Sequence, residues 1–122
     1  MSLDHALDIT TEDGIVIARL RGEIDLSNAG AIGSLVAGSV TNDAVGVVID
    51  LSETTYLDSS GVHLVFDLAE RLTSRQQRLV LAVPEDARIR RVLDLVNVGT
   101  AVAVRPTVEE AVVAAHERPK QD

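Results

Sequence analysis

The segment Thr54-Thr55-Tyr56-Leu57-Asp58-Ser59-Ser60-Gly61 places hydroxyls beside a carboxylate immediately before a long stretch of helical apolar periodicity. Two adjacent serines at a helix start are suited to accepting a phosphoryl group. The free N–H groups and the dipole of a helix N-terminus favour an anion, so a phosphate added there would be tolerated by the fold. Asp58, Ser59 and Ser60 are equally suited to capping the helix, and Gly61 to close packing. On these residues alone both roles stand open. Thr54 and Thr55 are further hydroxyls that a kinase could reach, although threonines are also common in strands.

Other chemistries are poorly supplied. With no cysteine there is no thiolate nucleophile, disulfide or Cys-containing zinc site. His5, His63 and His116 show no metal-ligand spacing. The chain has no G-x-x-x-x-G-K loop and no G-x-S-x-G elbow, and Gly30-Ala31-Ile32-Gly33 is not a dinucleotide fingerprint. Neither an enzyme nor a cofactor is implied. Asp50 at the end of an apolar run, with Glu23 and Asp25, could mimic the acidic pocket of a phosphoacceptor receiver domain. Yet the next strand ends in Ala82-Val83-Pro84 without a hydroxyl, and Arg105-Pro106 stands where such a pocket needs a lysine. Arg88, Arg90 and Arg91 could bind phosphate or simply form the solvent face of a short helix.

The chain has 122 residues, 46% hydrophobic and 25% charged, which is the make-up of one globular domain. Its formal charge is −8. Residues 1–58 hold ten acids and two bases, whereas residues 59–122 hold nine of each, so the whole excess lies in the first half. That balance, with Tyr56 and Phe66 as the only aromatics, argues against nucleic-acid binding. No apolar run approaches the length of about 20 residues that a membrane helix requires, and the first residues lack the basic-then-apolar pattern of a signal peptide. A cytoplasmic protein without a membrane partner is expected.

The elements that must position Ser59 follow from periodicity. Residues 7–11 and 15–24 read as strands joined by the Asp13-Gly14 turn. Ile32, Leu35, Val36 and Val40 mark a helix over 27–40, with Ser27 or Asn28 as its cap and three glycines that weaken it. VGVVIDL, residues 45–51, is a strand buried on both faces, and a loop over 54–61 follows it. Val62, Val65, Phe66, Ala69 and Leu72 define a helix to about Ser74. A strand over 78–83, a short helix from Ile89 closing near Gly99, a strand over 101–104 and a helix opened by the Thr107–Glu110 capping box complete the chain. The predicted order is β-β-α-β-α-β-α-β-α: an α/β domain with a mixed sheet, helices packed on it, a core of about residues 7–115 and a short flexible C-terminal tail.

Asp58-Ser59-Ser60-Gly61 before an apolar helix, Gly22-Glu23-Ile24-Asp25 at the end of the second strand, the VVIDLS strand and the RRVLDLVNV helix together resemble the STAS domain family, specifically the bacterial anti-sigma factor antagonists. The resemblance runs from about residue 7 to 115. It implies partner switching. The unphosphorylated antagonist binds an anti-sigma factor of the histidine-kinase-like ATPase class and frees a sigma factor; that partner then phosphorylates the first serine of the motif, here Ser59, and a serine phosphatase resets the switch. Asp58 is then the acidic neighbour and Asp25 a conformational or interface residue, and the expected partner-binding set is Asp25, Asp58, Ser59, Ser60, Gly61, Val62 and His63. Many antagonists carry a small residue where this chain has His63, which could alter partner choice or sit on the exposed side of the helix. The family also hosts STAS modules that bind a small ligand or nucleotide, or act as signalling scaffolds, without a phosphorylation switch.

Overall fold

Asp13 and Gly14 both adopt positive φ, 51° and 80°, and close a hairpin between strands β1 (Leu7–Glu12) and β2 (Ile15–Ile24). The computed structural model describes residues 6–117. After the hairpin come helix α1 (Ala29–Ser39), strand β3 (Gly46–Leu57), helix α2 (Ser59–Ser74), strand β4 (Arg78–Ala82) and helix α3 (Ile89–Leu95). A 3-10 turn over Val98–Thr100, strand β5 (Ala103–Arg105) and helix α4 (Val108–His116) follow. The strands lie in the order β1-β2-β3-β4-β5, with β1 antiparallel to β2 and every other pair parallel. This is the mixed sheet that the sequence predicts. His5, and most of the tail expected to be flexible, lie outside the described residues.

The apolar run of β3 is continuous because both sheet faces are covered. Val47, Ile49 and Leu51 join Val16, Ala18, Leu20, Leu79 and Leu81 under α1, α2 and α3, whose Ile32, Val36, Val65, Leu68 and Leu93 close that core. Ile15, Val48, Val80 and Ala82 face the other way, beneath Ala111, Ala114 and Ala115 of α4. The small residues of α4 let it lie close to the sheet. Gly46 is part of that closeness: a Cβ there would sit 2.7 Å from the Arg78 carbonyl oxygen and 3.5 Å from that of Ala115.

Besides the last strand, which runs Ala103–Arg105 where 101–104 is expected, three boundaries differ from the sequence reading. First, β3 continues to Leu57. Its partner β4 leaves after the Asp50–Ala82 pair, but β2 follows β3 to Ile24–Leu57, with irregular register around Arg19–Arg21 and Gly22–Glu23. Thr54 and Leu57 are buried in this ribbon, so what looks like a loop over 54–61 is strand, with Asp58 as the only residue between β3 and α2. Second, α1 starts at Ala29 with no side-chain cap from either Ser27 or Asn28. Third, α3 is stopped by Asn97, with φ 54°, and Gly99 belongs to the 3-10 turn that follows. Asparagine tolerates that left-handed conformation nearly as well as glycine.

Gly46→Ala should lower the unfolding free energy by about 1–3 kcal/mol, because the added methyl meets backbone and not a movable side chain. Urea denaturation would show this as a lower midpoint, and an unchanged midpoint would contradict the close approach of β3 and β4.

Candidate functional site

Asp58 occupies the N-cap of α2 with extended backbone, φ −96° and ψ −171°. Its Oδ1 accepts from the N–H groups of Ser60, at 2.8 Å, and Gly61, at 3.2 Å. Two of the helix's free donors are thereby satisfied. Ser59 is the first helical residue and is exposed, Ser60 is half-buried and Gly61 is buried. A Cβ on Gly61 would collide with Leu57 Cδ1, lie 2.9 Å from Leu57 Cγ and come 3.3 Å from the Ile24 carbonyl oxygen. The glycine therefore lets the first turn of α2 seat against the ends of β2 and β3.

The Gly22-Glu23-Ile24-Asp25 segment forms the other side of this joint. Gly22 takes φ 78° at the register shift, which lets the ribbon bend. Ile24 is fully buried, and its carbonyl accepts from the Asp58 N–H at 3.2 Å. Asp25 folds the loop that follows: its Oδ1 accepts from the Ser27 N–H at 2.9 Å and the Ser27 hydroxyl at 2.6 Å. Those two bonds hold the Asp25 carboxyl below its ordinary value of 3.8, the hydroxyl having the larger effect. The buried Asn28 completes the loop by accepting from the Asp25 N–H and donating to the Glu23 carbonyl, both at 2.9 Å.

Between α1 and α2 lies a cavity of about 620 Å³. One wall is Ala29, Gly30, Gly33 and Ser34; the other is Ser59, Ser60, His63, Asp67 and Arg71, and Leu26, 84% exposed, stands at its edge. Of the expected site residues, Ser59, Ser60 and His63 share this cavity. Asp25 and Asp58 shape the loop and the cap beside it, Gly61 is beneath the helix, and Val62 is half-buried against the main core. Leu26, Asp67, Arg71 and the small residues of α1 were not anticipated from the sequence. The four-residue spacing of Ser59, His63, Asp67 and Arg71 was the available signal for one wall, and the glycines of α1, taken as a weakness of the helix, for the other.

The remaining candidates are occupied elsewhere. Asp50, 1% exposed, accepts from Arg19 Nε at 2.9 Å and from the Ser52 N–H at 3.0 Å. Arg19 and Arg21 each approach Glu53 at 3.6 Å, so the carboxylate considered for a receiver pocket is part of an ion-pair network on β2 and β3. Its hydrogen bond to Asp50, and then that residue's charge, raise the Arg19 guanidinium above its usual range. Glu23 is exposed and apart from it. Among the described residues no group of three or more His, Cys, Asp or Glu side chains is placed to hold a metal ion. Thr54 donates to the Leu20 carbonyl at 2.7 Å and is buried, which removes it as a surface hydroxyl. Arg90 donates to the Val83 carbonyl at 2.9 Å, leaving Arg88, just before α3, and Arg91 as the exposed cations of this segment.

The STAS domain family model matches residues 6–111. The anti-sigma-F factor antagonist RsfB of Mycobacterium tuberculosis is 30% identical over 74 residues, which is 59% of this chain and 61% of RsfB. The chain spans about 60% of the length of the curated relatives it matches. A crystal structure of an anti-sigma factor antagonist from Mycobacterium paratuberculosis superposes with a TM-score of 0.81 at 24% identity, over 91% of this chain and 93% of that one. The structure of the Bacillus cell fate determinant SpoIIAA in its phosphorylated form gives 0.67 at 24% identity, over 89% and 98%. At that identity the two superpositions speak for the fold.

Two expectations follow from the geometry. Gly61→Ala should destabilise the domain by about 1–3 kcal/mol, and pairing it with Leu57→Ala should recover part of the loss if the clash with Leu57 is its cause. Double-mutant denaturation reads this directly. Asp25→Ala should lower the melting temperature at neutral pH. Because folding depresses the Asp25 carboxyl, its contribution is present above its ordinary value of 3.8 and fades as pH falls through the lower, folded value, so the gap to wild type should narrow in that range. A gap independent of pH would contradict the role of the ionised carboxylate.

Proposed function

The chain belongs to the STAS domain family, and on that premise we propose that it is an anti-sigma factor antagonist controlled by phosphorylation of Ser59. Unphosphorylated, it binds an anti-sigma factor of the histidine-kinase-like ATPase class and so frees a sigma factor for transcription. That partner transfers the γ-phosphoryl group of ATP to the Ser59 hydroxyl, the complex dissociates, and a serine phosphatase restores the hydroxyl. The protein acts by binding, without catalysis of its own, in the cytoplasm. Among the described residues no helix is long and apolar enough to cross a membrane.

The observation that carries this proposal is the position of Ser59: exposed, first in α2, at the joint where Asp58 caps the helix. An acceptor hydroxyl must reach a kinase site without unfolding its own domain, and a first-turn residue beside a satisfied cap does so. The names of the relatives support the partner class, RsfB being called an anti-sigma-F factor antagonist. A phosphorylated structure in the same fold, that of SpoIIAA, supports the modification.

The release step follows from charge. A phosphoserine brings about −1.5 to −2 charges and three acceptor oxygens. In the free protein these face water and the positive end of α2. In a complex that buries Ser59, the same group would be desolvated without a matched partner, at several kcal/mol, and each 1.4 kcal/mol is tenfold in affinity. No refolding is needed. The first half of the chain carries the whole acidic excess, which suits it to steering a basic partner.

A second function draws on the cavity itself. Its volume of about 620 Å³ is within the range of small-molecule sites, so a STAS module that binds a small ligand or nucleotide could use it. The two differ in what Ser59 does. Affinity capture from the source organism with wild type and Ser59→Ala should retain the same ATP-binding anti-sigma factor. Addition of ATP should phosphorylate wild type on Ser59, located by peptide sequencing, and leave Ser59→Ala unmodified. Nucleotide binding to the isolated domain with no such partner would favour the ligand-binding module. For the complex, the association rate should fall as salt is raised, and a salt-independent rate would contradict steering by the acidic half.

A further inference from the structure

Along α2 the residues Ser59, His63, Asp67 and Arg71 succeed one another at four-residue intervals, and all four line the cavity. Side chains so spaced on a helix are neighbours, with Cβ atoms about 5–6 Å apart. The stripe is partly paired already, since Arg71 Nε lies 3.3 Å from Asp67 Oδ2. The Asp58 carboxylate is bonded to the N–H groups of Ser60 and Gly61, so a phosphate on Ser59 could take those donors only by displacing the cap. The opposite wall, α1, has no titratable side chain anywhere along Ala29–Ser39. Leu26, at the edge, is apolar.

The side chains able to carry positive charge on the cavity wall are therefore His63, one turn from Ser59, and Arg71, about 18 Å along the axis at 1.5 Å per residue. The charged groups near His63 on its own helix are Asp67, held by Arg71, and Glu70, two turns away, exposed and outside the cavity. The strands β3 and β4 pack their apolar core against the buried face of α2, away from the exposed His63.

We propose that His63 binds the phosphate carried by Ser59, which stays covalently attached to the serine. The protonated imidazole donates to a phosphate oxygen across one turn, with the anion N-terminal to the cation, the favourable order for such a pair. The modified form then keeps its phosphate folded along α2, and that form is stabilised most where the imidazole is protonated. This role rests on Ser59 being the phosphoacceptor; it adds a residue that holds the product.

The test avoids dependence on any kinase by installing phosphoserine at position 59 through genetic encoding. Melting temperatures of the phosphorylated and unphosphorylated proteins are compared between pH 5.5 and 8.5, in wild type, His63→Gln and His63→Lys. The phosphate itself titrates in this window, so the wild-type profile alone is not the readout. The change in melting temperature caused by the phosphate should be more favourable in wild type than in His63→Gln by roughly 2–4 °C at the acid end of the range, and the difference should shrink at the alkaline end, because only a protonated imidazole pairs with the phosphate. His63→Lys should keep the benefit throughout. The unphosphorylated variants should melt close to wild type, because His63 is exposed. Identical phosphate-dependent changes in wild type and His63→Gln at every pH would overturn the proposal. If the coupling is seen but the phosphorylated protein still binds its anti-sigma factor, the antagonist mechanism fails and the role of His63 stands.

Discussion

One hydrogen bond, from the Asp58 N–H to the Ile24 carbonyl, ties the end of β2 to the cap of α2, and the site depends on it. At this point the ends of two parallel strands and the first turn of a helix meet so closely that Gly61 has no room for a methyl group. Leu57 and Ile24, both buried, fix the strand ends from within. The result is a closely packed joint with Ser59 exposed on its rim.

The loop after β2 is built on the same logic. Asp25 closes it through Ser27, and Asn28 locks it to Glu23 from the buried side. Leu26 is thereby held out as an exposed apolar residue at the edge of the cavity that Ser59 also lines. An exposed apolar side chain and an exposed hydroxyl are thus set on adjoining segments, joined by one backbone hydrogen bond. The stripe along α2 adds polar groups, and the small residues of α1 open the space they line.

Local signals made much of this legible in the sequence. The Asp13-Gly14 hairpin, the doubly buried run in β3, the apolar stripe of α2 and the Thr107 cap each depend on neighbours within a few residues. On the sequence Asp58, Ser59 and Ser60 were all candidates for the cap; in the fold Asp58 takes it and Ser59 is exposed beside it. What was not legible is set by distant partners. The extension of β3 to Leu57 depends on pairing with β2 some thirty residues earlier, and the need for glycine at 46 depends on a carbonyl of β4. Asn28 looked like a helix cap because its type suits that role, but the irregular end of β2 gave it other partners. The cavity itself arises only where two helices meet, although the four-residue stripe of α2 and the glycines of α1 mark its walls.

The central claim is that a phosphate on Ser59 weakens one interface without altering the fold, and calorimetric titration tests it most directly. The anti-sigma factor is titrated with unmodified protein and with protein carrying phosphoserine at 59, after circular dichroism has shown both to be folded alike. The account predicts an affinity at least about 100-fold lower for the phosphorylated form, the equivalent of roughly 2.7 kcal/mol or more. Equal affinities for the two folded forms would contradict it.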